Sequence, residues 1–163
     1  MPIIAEPNHT FKSGKNYSHS VGLSCAFRQW RAESHCRFLH GYALKIDCSF
    51  EGTELDIRNW LVDFGSLKSF KGWLEDTLDH KTLVAEDDPK LNTFIELQSE
   101  GIIQLRVLPS VGCEAIAYFV FQYLDGWLQS NGYKPRIKLS EVRVWEHESN
   151  WSAYGIKENS NDN

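Results

Sequence analysis

The sequence predicts an α+β fold, an antiparallel four-stranded sheet with two helices packed on one face. Two stretches before residue 52 alternate apolar with polar residues, as half-buried strands do. Two later stretches carry apolar stripes at helical spacing. A third alternating stretch near the C-terminus can fold back on itself as a hairpin. The order strand, strand, helix, helix, strand, strand suits helices gathered on one side of an antiparallel sheet.

Residues 1 to 16 are polar and are expected to form a loose tail, as are residues 158 to 163. His19, Val21, Leu23, Cys25 and Phe27 alternate with small or polar residues and define the first strand. After a polar stretch from Arg28 to His35, Tyr42, Leu44, Ile46, Cys48 and Phe50 share one face of the second, which Glu51 and Gly52 end. From Ser66 to near Asp79 the period becomes helical, with Leu67, Phe70, Leu74 and Leu78 on one side. The second helix starts near Cys113, buries Ile116, Val120, Tyr123 and Trp127, and stops at Asn131-Gly132. Between the helices, Glu86 to Pro89 reads as a loop, and Ile103, Leu105 and Val107 alternate before Pro109. Val142, Val144 and Glu146 share one face of a later strand, and Trp151 to Ile156 can pair with it across Ser149 and Asn150.

At 163 residues the chain has the length of one domain, 1–163, large enough to bury a core without disulfides. Its net charge of -5 is spread without a basic run, which gives nucleic acid and anionic membranes no electrostatic footprint. No stretch reads as a membrane span or signal peptide, so the expected location is cytoplasmic. The four cysteines are widely spaced and form no C-x-x-C pair, which argues for reduced thiols.

Three segments carry chemistry. Cys36-Arg37-Phe38-Leu39-His40-Gly41-Tyr42 places a thiol and an imidazole four residues apart where a loop feeds a strand, with His40 and Tyr42 on one face. The same residues also suit a strand end with a satisfied histidine and a buried thiol. Asp79-His80 sets a carboxylate beside an imidazole at a helix end, a pair suited to proton transfer or simply to the helix dipole. Glu146 shares a face with Val142 and Val144, so it needs a partner: an arginine, or a ligand offering adjacent N–H groups.

Taken in order over residues 17 to 155, these segments resemble the 6-pyruvoyl- and 6-carboxytetrahydropterin synthases. The matching pieces are Cys36-x-x-x-His40-Gly41, Leu61-Val62-Asp63-Phe64 followed by Leu67-Lys68, Leu78-Asp79-His80, Pro109-Ser110 with Glu114, and Val142-x-Val144-x-Glu146. The resemblance implies the tunnelling fold, a hexamer-like homo-oligomer with active sites at subunit interfaces, and a small-molecule pterin substrate, 7,8-dihydroneopterin triphosphate. It puts Cys36, Asp79 and His80 on the catalytic positions, Glu146 on the pterin anchor and Glu114 on a second carboxylate near the pterin. The short Cys36-to-His40 spacing resembles the 6-carboxy-forming branch of deazapurine biosynthesis. The pyruvoyl-forming branch, or a pterin- or purine-binding protein that has lost its metal site, are the alternatives.

The resemblance also implies zinc held by three histidines, two in a His-Gly-His at the start of strand two and one near the end of strand one. Here Tyr42 replaces the second of the pair. The position eleven residues before Cys36 is Cys25. Because zinc accepts thiolate as well as imidazole, Cys25, His40 and His35 are the candidate zinc ligands. The segment between Leu83 and Pro109 reads as an insertion that reshapes the pocket rim or a subunit contact.

Overall fold

The computed structural model of the chain describes residues 1–158. In chain order the elements are β1 (Phe11–Tyr17), β2 (Leu23–Phe27), β3 (His40–Gly52), α1 (Lys68–Leu78), β4 (Lys81–Ala85), α2 (Leu91–Ser99), β5 (Leu105–Leu108), α3 (Cys113–Ser130), β6 (Ile137–His147) and β7 (Asn150–Gly155). Short 3-10 turns at His19–Val21, His35–Arg37 and Phe64–Leu67 join them.

The α+β content holds, but the sheet is larger than expected and mixed. Its seven strands run β5-β4-β2-β3-β6-β7, with β1 also paired to β3. Three helices are present among the described residues. The pairs β2–β4 and β4–β5 are parallel, and the others are antiparallel. Parallel neighbours need a crossover, which α2 supplies between β4 and β5. The supposed insertion is therefore a strand–helix–strand unit built into the sheet.

β3 is the spine. Leu44, Ile46, Cys48 and Phe50 are almost completely buried on one face, as their alternation predicts. β1 pairs with Phe50 back to Ile46 and beyond to Gly52, while β2 pairs with the earlier half, from Leu44 to His40. Residues 11–17 are thus a strand, not part of a loose tail, and Ile4 bridges to Glu54. The first strand starts at Leu23, because His19–Val21 turns in 3-10 form and Gly22 adopts φ 84°. The expected tail from 158 to 163 lies, beyond Glu158, outside the described residues.

α1 and α3 bury Phe70, Leu74 and Leu78, and Ile116, Val120, Leu124 and Leu128, against this core. Fully burying one such side chain contributes roughly 1.5–3 kcal/mol. Tyr123, expected in the buried stripe, is instead exposed and stacks on Trp73 of α1, with ring centroids 3.7 Å apart. No helix among the described residues is long and apolar enough to cross a membrane.

Candidate active site

The end of β2, the start of β3, the end of β6 and the start of α3 converge on one constellation. Phe27, the last residue of β2, lies opposite His40 in the ladder, and Cys25 lies opposite Tyr42. The rings of Phe27, His40 and Tyr42 pack together, with centroids 5.7 Å apart for Phe27–His40, 5.6 Å for Phe27–Tyr42 and 5.2 Å for His40–Tyr42. His40 Nδ1 hydrogen-bonds the Phe38 carbonyl at 2.6 Å. That contact sets the tautomer with the proton on Nδ1 and leaves Nε2 as an acceptor.

Cys36 sits in the 3-10 turn that precedes β3, half-buried. Its amide donates to the Ser34 hydroxyl, and its carbonyl accepts from the Gln29 amide at 2.9 Å. The half-buried Glu146 closes the other side, within the irregular pairing between Trp145 and His147 at the end of β6. Burial, then the charges of Glu146, Cys36 and Cys113, push the Tyr42 phenol above its ordinary range. Those four side chains therefore share one electrostatic environment. Cys113, the first residue of α3, is buried, donates its thiol to the Val144 carbonyl at 3.0 Å, and has its pKa pushed up to about 11, chiefly by burial. Glu114 follows it, exposed in the first turn of α3, where the helix dipole favours a carboxylate.

A loop latch holds Cys36 in place. Arg28, just after β2, makes a two-point contact with Asp88, at 2.8 Å from Nε and 2.6 Å from Nη2. Asp88 belongs to the segment between β4 and α2, and its side chain is only 1% exposed. The Arg28 contact holds its carboxyl below the ordinary range. Gln29 Nε2 donates to the Val111 carbonyl at 2.8 Å. Gly112, at φ 111°, leaves the space in which the Gln29 amide sits.

Asp79 and His80 lie elsewhere, at the turn from α1 to β4. The Asp79 carboxylate accepts from the Ser24 amide at 3.1 Å and lies 2.9 Å from His80 Nδ1. His80 holds φ 54°, a left-handed conformation that is uncommon outside glycine, and its amide donates to the Ser24 carbonyl at 2.6 Å. Its ring is 80% exposed. Among the described residues no hydrogen bond joins Cys36 to Asp79 or His80. Ser24 and Phe27, which mark the two places along β2, are ~10 Å apart at ordinary strand rise.

The expected metal ligands do not assemble. Among the described residues no group of three His, Cys, Asp or Glu side chains could hold a metal ion. His35 is exposed on its turn. Cys25 is buried, with its thiol pushed up to about 12 by burial and by the Asp79 charge, which disfavours the thiolate a metal needs. Counting back from Cys36 without a gap selects Cys25. In the folded chain the residue at the end of β2, against His40 and Tyr42, is Phe27. One imidazole with a phenyl and a phenol is no zinc site.

Comparison with known proteins fits this framework. The family model described as 6-pyruvoyl tetrahydropterin synthase matches residues 17–157. The chain belongs to that family, and so to the pterin synthase lyases. It is 23% identical over 139 residues to the 6-carboxy-5,6,7,8-tetrahydropterin synthase of Aquifex aeolicus, which covers 83% of this chain and 85% of that protein. It is 28% identical over 113 residues to the enzyme of the same name from Rickettsia typhi, covering 68% and 82%. Among solved structures, an uncharacterized protein from Wolinella succinogenes has a TM-score of 0.78 at 20% identity, covering 92% of this chain and all of that one. The Plasmodium falciparum 6-pyruvoyl tetrahydropterin synthase has a TM-score of 0.65 at 16% identity, covering 90% and 98%. These likenesses show the fold.

Sequence reasoning missed two residues here, Phe27 and Cys113, whereas the strand alternation already set Tyr42 beside His40, where the structure has it. The alternation of strand one already put Phe27 on the face of Cys25, and only an assumed ungapped loop gave preference to the cysteine. Cys113 had a usable signal in its position next to Glu114 at a helix start.

Proposed function

We propose that the chain cleaves the side chain of 7,8-dihydroneopterin triphosphate, taking up water and releasing triphosphate and the two outer carbons as acetaldehyde, to form 6-carboxy-5,6,7,8-tetrahydropterin for deazapurine synthesis of the queuosine type. The observation that carries this reading is Glu146. Its carboxylate is half-buried beside Tyr42 and Cys113 and makes no ion pair among the described residues. A carboxylate so placed suits the paired N–H groups of a pterin edge, which satisfy both of its oxygens at once. The curated relatives named as 6-carboxy-forming synthases support the branch.

In this reading Glu146 anchors the pterin, with Glu114 at the rim. Cys36, presented by its turn toward the same space, takes the side-chain proton as a thiolate. Asp79 orients His80 through the 2.9 Å contact, and His80 exchanges the proton with solvent or leaving group. Because the His80 ring projects from its own chain, a second copy completes the site, and the protein works as a cytoplasmic homo-oligomer of one-domain subunits. No step is assigned to zinc.

The test is to incubate the protein with dihydroneopterin triphosphate and follow the product by mass, with Cys36→Ser as the control. Product of the 6-carboxy mass, absent with Cys36→Ser, supports the reading. The packed ring triad at the strand end favours one other reading, a pterin-binding protein without turnover. Pterin binding that depends on Glu146, with no product formed, would select it.

A further inference from the structure

In the family's pattern, the end of strand one and the first and third residues of strand two supply three imidazoles. In this chain those places are Phe27, His40 and Tyr42. Zinc needs its donors within about 2.0–2.3 Å, arranged tetrahedrally. Phe27 is 1% exposed and offers no donor, and its ring lies against both of the others. The His40 and Tyr42 rings meet edge to face, the arrangement of packed aromatics. His40 Nδ1 is taken by the Phe38 carbonyl, so the triad keeps a single donor nitrogen. Cys25 sits one strand position further along the same face, opposite Tyr42 and not beside His40.

We infer that this chain has exchanged the family's metal centre for a packed aromatic triad, Phe27–His40–Tyr42, and holds no zinc at the strand end. The inference rests on membership of the family, but not on turnover. Metal content and activity are measured separately, so failure of one leaves the other intact.

Purified protein is loaded with equimolar zinc, desalted, and its metal measured by plasma mass spectrometry. Zinc far below one per chain, unchanged by His40→Ala, is expected. Phe27→His combined with Tyr42→His restores two imidazoles beside His40 and should bring the zinc to about one per chain, lost again when His40→Ala is added. Wild-type protein retaining about one zinc per chain that His40→Ala removes overturns the inference. So does a folded double variant that gains none, since Phe27 and Tyr42 would then not stand at the ligand positions. Zinc that persists through His40→Ala is bound elsewhere and leaves the inference standing. If the double variant does not fold, cobalt(II) titration of wild type decides: no tetrahedral cobalt absorption supports the triad, and absorption abolished by His40→Ala sinks it.

A different observation carries a second inference. The first residues of the loop 28–37 are tied to the chain that follows β4, and its last residues are tied back to the first, the Cys36 carbonyl accepting from the Gln29 amide. Arg28 grips the buried Asp88 and reaches the Arg37 carbonyl at 3.5 Å, while Trp30 and Arg31 meet Asp87 at 3.2 and 2.7 Å. Asp88 is itself fixed by the Lys90 amide at 2.8 Å. The geometry assigns Asp88 as a positioning residue for Cys36, acting through Arg28.

Asp88→Asn removes the charge and half the fork. It should lower turnover about tenfold or more while pterin affinity stays within about twofold, because a misplaced reacting group costs rate before binding. The rate of Cys36 alkylation by iodoacetamide should change in parallel, whatever reaction the protein catalyses. Asp87→Asn, at an exposed ion pair, should change both by far less. Unchanged alkylation and turnover in Asp88→Asn would refute the assignment. Should that variant fail to fold, Arg28→Lys keeps the charge but not the two-point contact, and the same readings apply.

Discussion

The constellation at the end of β2 and the turn at Asp79–His80 are built in opposite ways. Around Phe27, Tyr42 and Glu146 the side chains are packed, and the loop that brings Cys36 is latched through a buried aspartate. At the α1–β4 turn the Ser24 amide donates to the Asp79 carboxylate and the Ser24 carbonyl accepts from the His80 amide, but the His80 ring stands in the open. In the proposed function the first region recognises the pterin. In the same reading the second supplies the proton carrier, with its carboxylate 2.9 Å away and, among the described residues, no hydrogen bond to Cys36.

Substitutions can break that contrast. The largest effect belongs to Cys36→Ser, which should lower turnover roughly 10²–10⁴-fold, the usual share of a general base, with pterin affinity nearly intact. Normal activity in that variant would remove the thiol from the mechanism. His80→Ala should cost about 10²-fold in turnover and leave pterin affinity unchanged, since the ring lies outside the packed region. A loss of affinity there would join two regions that the account keeps separate. Glu146→Gln should act the other way, weakening pterin binding about 10–100-fold, as expected for a charge-assisted hydrogen bond worth ~1.5–3 kcal/mol. Fluorescence titration with a pterin reads this directly.

Two smaller effects sharpen the picture of the packed region. With iodoacetamide at mildly alkaline pH, native protein should be modified at Cys36 first. Cys25, Cys48 and Cys113 are buried, and burial pushes their thiols up, so they should react only on unfolding. Peptide mass mapping gives the order. Asp88 has its carboxyl lowered by the Arg28 hydrogen bond, so its contribution is present above the ordinary carboxylate range and is lost as pH falls below it. Asp88→Asn should therefore melt lower than wild type at neutral pH, by roughly 1.5–3 kcal/mol of stability, and the gap should close in acid. A gap independent of pH would mean the ion pair is not its source.

How much of this was legible in the sequence depended on how each element is buried. β3 and β6 carry one apolar face, so alternation revealed them, and with them Glu146 and the His40–Tyr42 pair. β4 was hidden because Thr82, Leu83, Val84 and Ala85 are all buried and do not alternate, as in a strand covered on both faces. Missing β4 turned β4, α2 and β5 into an insertion and made the sheet appear antiparallel. β1 was hidden for the contrary reason: only Tyr17 of its seven residues is buried, so Lys12, Ser13 and Lys15 read as tail. The metal question turned on a two-residue difference in loop length, which spacing could not resolve and the pairing of Phe27 with His40 does.

The central claim is that the space between Cys36 and Glu146 processes a pterin side chain. It is tested most directly by incubating the wild-type protein with dihydroneopterin triphosphate and measuring the products by mass, with and without a chelator. The account predicts 6-carboxytetrahydropterin and released triphosphate in both cases, and neither with Cys36→Ser. Substrate recovered unchanged under conditions where another member of the family turns over would contradict it.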